Sequence, residues 1–215
     1  MHIDRADLAM LIDYTLLQPT ATAEDVAALL ADAKRLGVPT VCVSPSLLHA
    51  TSDTELRVAT VCGFPSGKHH PLIKATEARF AVQNGAVEID VVADLGSVAT
   101  KDEYALLSEL VAIREAITDQ VLLKVILETA AFDRETIEFA ARTCAKAGAN
   151  FVKTSTGFHP AGGASIEAVR ILRDSVPASV GVKASGGIRD YDTACAMIEA
   201  GASRLGVSNA AAVLR

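Results

Sequence analysis

The chain has 215 residues, half of them apolar, with a formal net charge of -6 and a pI near 5.4. A chain of this length buries enough surface to be stable without a metal or a disulfide, and its acidic balance lacks the basic footprint that holds nucleic acid or an anionic membrane. No break in composition divides it, so one domain over residues 1–215 with a small-molecule partner is expected.

In chain order, Asp4, Asp7 and Asp13 stand where a secretory signal needs a basic start and an unbroken apolar run. With no apolar stretch of about 18 residues further on, a cytoplasmic location is expected. The first predicted strand, residues 11–15, sets Asp13 and Thr15 on one side and Ile12 and Tyr14 on the other, because successive strand residues face opposite ways. A helix over 23–36 follows, opened by Thr22 and closed by Gly37. The strand at 40–44 gives Cys42 the parity of the polar side, where it lines a cavity or fills space as a small buried residue.

After a strand at 57–62, the segment SGKHHP carries His69 and His70 without a third ligand at metal spacing, so a solvated loop is expected. His159 reads the same way. The four cysteines form no CxxC pair, no metal is expected, and reduced, buried thiols are. Beyond a helix at 72–84 and Gly85, the strand at 87–92 opposes Glu88 and Asp90 to Ile89 and Val91. A helix at 102–117 leads to the strand at 121–127, where Lys124 and Glu128 share a side and are expected to pair. Next come a helix at 134–147, between Asp133 and Gly148, and a strand at 150–154 that opposes Phe151 and Lys153 to Val152. The turn after it holds Gly157. A helix at 166–175, a strand at 180–184 with Lys183, and the turn Gly186-Gly187 near Arg189 follow. The chain closes with a helix at 191–200, between Asp190 and Gly201, and a strand at 204–207 that runs into Gly206-Val207-Ser208-Asn209.

Strand and helix thus alternate through eight strands, the pattern of βα units around a parallel sheet. An open doubly wound sheet buries both faces of its central strands and reads as continuously apolar. Here one parity is apolar and the other holds Asp13, Asp90, Lys124, Glu128, Lys153 and Lys183, which fits a compact (β/α)8 barrel with a polar interior. Charges that deep are costly unless paired, so function explains them better than stability does.

A lysine becomes nucleophilic when burial or a second cation favours its neutral amine. Lys153 and Lys183, on consecutive strands, fit that arrangement with one as amine and the other as cation; a barrel-floor ion pair is the alternative for either alone. Asp90 suits proton transfer between them, or serves as a static counter-ion, and Asp13 is a second candidate for the relay. The turns after the seventh and eighth strands occupy the usual phosphate position of such barrels, with Arg189 as an added charge and Gly157 alongside.

The segments IDYTLL, VATVCGFPSG, EIDVV, LLKVILET, FVKTSTGF, VGVKASGGIR and LGVSNA, in this order across nearly the whole chain, resemble the deoxyribose-phosphate aldolase family. The resemblance implies a class I aldolase that reversibly cleaves 2-deoxy-D-ribose 5-phosphate to D-glyceraldehyde 3-phosphate and acetaldehyde, with no metal or organic cofactor. It implies Lys153 as the Schiff-base lysine, Asp90 and Lys183 in proton transfer, and Gly157, Gly186, Gly187, Gly206 and Ser208 at the phosphate. Tyr14 stands where many members have His, which makes altered packing beside Asp13 an expectation. Phe158 stands where some have Lys, which leaves Arg189 as the candidate phosphate cation. Another Schiff-base sugar-phosphate aldolase, a transaldolase-like barrel and a catalytically silent phosphate-binding barrel are the competing readings. A homo-oligomer, with a dimer as the simplest case, is expected.

Overall fold

The computed structural model describes residues 3–215. Eight parallel strands close into a barrel in sequence order, each hydrogen-bonded to the next and β8 back to β1. They are β1 (Ile12–Leu16), β2 (Thr40–Val43), β3 (Arg57–Cys62), β4 (Glu88–Val92), β5 (Leu122–Ile126), β6 (Phe151–Lys153), β7 (Gly181–Ser185) and β8 (Arg204–Val207). The expected (β/α)8 architecture is therefore present, with strand ends shifted by a residue or so.

The helices are α1 (Arg5–Ala9), α2 (Ala23–Leu36), α3 (Pro71–Gln83), α4 (Leu95–Ala99), α5 (Glu103–Ala116), α6 (Arg134–Lys146), α7 (Ile166–Ser175), α8 (Tyr191–Glu199) and α9 (Ala210–Val213). Side-chain caps start most of them. Thr22 and Asp25 form a capping box on α2, while Asp133 and Asp190 accept from the backbone of α6 and α8. The short helices α1, α4 and α9 carry too few turns to show a period, yet Asp4, Asp94 and Asn209 cap each. Helix ends at Gly37 and Gly85 have φ of 71° and 96°, as a left-handed cap requires.

The outward parity packs against the helices. Ile12, Val41, Ile89, Val91, Leu123, Val125, Val152, Val182 and Leu205 are buried in one apolar layer with α2, α5, α6 and α7. Tyr14 belongs to this side: its hydroxyl donates to Asp32 on α2 at 3.0 Å. The Tyr14 ring therefore points away from the interior that holds Asp13. Gly181 makes room for the Phe151 ring, which occupies the space a Cβ would need. That ring lies under the Arg204 guanidinium, 5.5 Å from it, in the lower interior.

Candidate active site

The registers place Asp90 beside Lys124, and Lys153 beside Lys183. All four are buried with Asp13, Glu88 and Arg204. Asp90 is the hub: Oδ1 accepts from Lys124 at 2.8 Å, and Oδ2 accepts from both Lys153 and Lys183 at 2.7 Å. Asp13 Oδ2 accepts from Lys183, and from Lys124 at 3.2 Å, while its Oδ1 accepts from Arg204 at 2.6 Å. Lys124 also pairs with Glu88 at 2.6 Å.

Four cations (Lys124, Lys153, Lys183, Arg204) face three carboxylates (Asp13, Glu88, Asp90), so the enclosed cluster carries one positive charge too many when fully ionised. Lys153 is the cation with the fewest carboxylate contacts, touching Asp90 alone. Burial lowers its pKa, the Lys183 charge lowers it further, and Asp90 offsets only part. Burial also disfavours charge on Lys183, but Asp13 and Asp90 outweigh it and raise the pKa. Lys124 is raised by Asp13, Asp90 and Glu88 against the same burial. For Asp90 and Asp13, burial pushes the pKa up and the surrounding lysines push it further down, so both stay ionised.

Cys42 lies inside the barrel with Leu17, Ala59 and Val61, and burial together with Asp90 raises its thiol to about 11. It is a buried, neutral thiol. Thr15 is half-buried, and its hydroxyl donates to the Asp13 carbonyl at 3.0 Å. Glu128 does not pair with Lys124 as expected. Just past β5 the chain enters the left-handed region, with φ 51° and ψ 52° at Glu128, and this turns the side chain toward the connection after β6. There it accepts from the Thr156 hydroxyl at 2.6 Å and the Thr156 N–H at 3.1 Å.

Gly157, Gly186 and Gly187, with φ of 83°, 88° and 85°, lie in the connections after β6 and β7. A Cβ on Gly186 would come within 3.0 Å of the Gly163 Cα and 3.4 Å of the Gly157 Cα, so the two loops meet backbone to backbone. Gly157, Gly187, Arg189 and Ser208 are exposed. Gly206 is buried in β8, where a Cβ would lie 2.9 Å from the Ser185 Cβ and 3.2 Å from the Lys183 Cε, so its lack of a side chain leaves room for Lys183. The Ser155 hydroxyl, buried between Lys153 and these loops, has no hydrogen-bond partner among the described residues.

Arg204, Thr156 and Ser155 are not among the residues that sequence spacing singles out. Arg204 shares the parity of Gly206, a signal that could have found it; the other two lie past the end of β6, where parity lapses. His70 caps α3, accepting from the Leu72 N–H at 3.2 Å. Among the described residues no group of three His, Cys, Asp or Glu could hold a metal ion.

Residues 8–213 match the family model described as DeoC/LacD family aldolase. A deoxyribose-phosphate aldolase of Nocardia farcinica is 55% identical over 210 residues, covering 98% of this chain and 94% of that protein. One from Corynebacterium jeikeium is 52% identical over 245 residues, covering 99% and 98%. Among solved structures, the aldolase QR15 superimposes with a TM-score of 0.92 at 38% identity, covering 97% of this chain and 94% of its own. The tetrameric deoxyribose phosphate aldolase of Aeropyrum pernix gives 0.90 at 34% identity, covering 98% and 91%. With the barrel, its enclosed lysines and nearly the whole length matched, the chain belongs to the DeoC/LacD family of aldolases.

Proposed function

We propose that this chain reversibly cleaves 2-deoxy-D-ribose 5-phosphate to D-glyceraldehyde 3-phosphate and acetaldehyde through a Schiff base on Lys153. The observation that carries the assignment is the sharing of one Asp90 oxygen by two lysines at 2.7 Å, with Lys153 lowered in pKa and Lys183 raised. The neutral Lys153 amine adds to the aldehyde carbon of the open-chain sugar, and loss of water from the carbinolamine gives the iminium. Removal of the proton from the C3 hydroxyl breaks the C2–C3 bond, releasing the phosphorylated aldehyde and leaving an enamine. Protonation at C2 and hydrolysis free acetaldehyde and the amine.

Asp90 and Lys183 are in contact with the Lys153 Nζ or its carboxylate partner and carry the protons, with Asp13 and Lys124 holding that network ionised. Cys42 and Thr15 line the cavity. The backbone around Gly157, Gly186, Gly187, Gly206 and Ser208, with Arg189 at the rim, receives the 5-phosphate. No cofactor enters this chemistry.

The substrate class supports a cytoplasmic enzyme, and no helix among the described residues is long and apolar enough to cross a membrane. Exposed Leu72, Ile73 and Phe80 on α3 support a homo-oligomer, a dimer being the simplest. Acetaldehyde release from deoxyribose 5-phosphate, compared with unphosphorylated deoxyribose, tests the function. Cleavage with a marked preference for the phosphorylated sugar is expected; no acetaldehyde from either would contradict it.

A further inference from the structure

Two aromatic rings meet at the barrel mouth. Phe64, just past β3, and Phe158, in the connection after β6, stand edge to face with centroids 5.2 Å apart. β3 and β6 are three strands apart in a ring of eight, so the contact crosses the opening rather than following its rim. Beneath it, Phe64 packs on Leu17, Cys42, Ala59 and Val61, the apolar part of the interior. The interior therefore has an apolar patch from β1 to β3 under the ring pair, next to the charged cluster that Asp13 of β1 forms with residues of β4 to β8.

Phe158 is held in this position although it is 41% exposed. Its N–H donates to the Thr156 hydroxyl oxygen at 3.1 Å, and that hydroxyl in turn donates to Glu128. Glu128 is 1% exposed, adopts a left-handed backbone rare outside glycine, and pairs with no cation among the described residues. A buried carboxylate in an unfavourable backbone conformation, spent on one threonine, fixes the short loop that carries the ring.

We propose that Phe158, braced by Glu128 and Thr156 and closed against Phe64, is a specificity-determining residue that limits the width of the aldehyde reacting with the Lys153 adduct. The ring pair blocks the line from β3 to β6, so a chain reaching Lys153 enters past Gly157, Gly186 and Gly187. A slender acceptor passes more readily than a branched one. This rests on the imine reading of Lys153.

The test is run in the synthetic direction, with acetaldehyde as donor and either D-glyceraldehyde 3-phosphate or pivaldehyde as acceptor. Phe158→Ala is expected to raise kcat/KM for pivaldehyde relative to the phosphorylated acceptor on the order of tenfold, the size of discrimination that a single hydrophobic contact supplies. Phe64→Ala should shift the ratio the same way. Thr156→Val should shift it less, and should add nothing in a Phe158→Ala background, as coupled residues do not add. Borohydride trapping with acetaldehyde is measured in parallel. A variant that still forms the Lys153 adduct but keeps the parent's acceptor ratio would overturn the proposal; absence of the adduct from the parent protein would overturn the imine reading and the proposal with it.

Discussion

Lys153 and Lys183 carry the same side chain on adjacent strands, in register with each other, and differ only in their neighbours. Lys183 bonds to two aspartates and Lys153 to one, so the surplus positive charge of the cluster is removed most cheaply at Lys153. Asp90 is the residue both lysines share. Asp90→Asn keeps the size of the side chain but cannot take up and return a proton, and it leaves four cations facing two carboxylates. Turnover is expected to fall about 10²-fold or more. The thermal midpoint should also drop, because removing one member of a buried ionic network leaves its partners uncompensated. Steady-state kinetics and a melting curve on the same preparation check both, and near-normal turnover would remove Asp90 from the mechanism.

At the scale of elements, each strand does two things at once: its outward parity seals the helix layer and its inward parity builds the site. Gly206 on β8 shows how tightly the two are coupled. A methyl group there would stand 2.9 Å from the Ser185 Cβ and 3.2 Å from the Lys183 Cε. Gly206→Ala is therefore expected to displace the Lys183 side chain and lower kcat by at least about tenfold on the unphosphorylated sugar as well as on the phosphorylated one, since Lys183 serves both. That scale follows from the sensitivity of catalysis to small misplacements. A loss confined to the phosphorylated sugar would mean that Gly206 serves the phosphate alone and that the crowding does not disturb Lys183.

Strand parity made the barrel and most of the interior charges legible, because a period of two survives in any sequence that buries one face. It stopped at the strand ends. Glu128 has the parity of Lys124, yet a left-handed turn just beyond β5 carries it to Thr156, and no periodic signal encodes such a turn. The Phe64 and Phe158 contact joins residues far apart in sequence and was equally out of reach. Arg204 was readable by parity, but its role depends on closure of β8 onto β1, which brings it to Asp13.

For the whole molecule, the interior charge network is also a stability element, and it has a pH signature. The folded pKa of Asp13 lies below the ordinary carboxylate value of about 3.9, since nearby lysines and Arg204 outweigh the effect of burial. A depressed folded pKa gives a contribution that is complete above the unfolded value and is lost as pH falls toward the folded one. The urea midpoint should therefore decline steeply below about pH 4, and Asp13→Asn should flatten the decline. An equally steep decline in the variant would show that other carboxylates dominate. The central claim, an imine on Lys153, is tested most directly by the mass of the intact chain after borohydride reduction with acetaldehyde, followed by peptide mapping. A single ethyl adduct on Lys153 is expected. An adduct on Lys183 alone, or none on a folded protein, would contradict it.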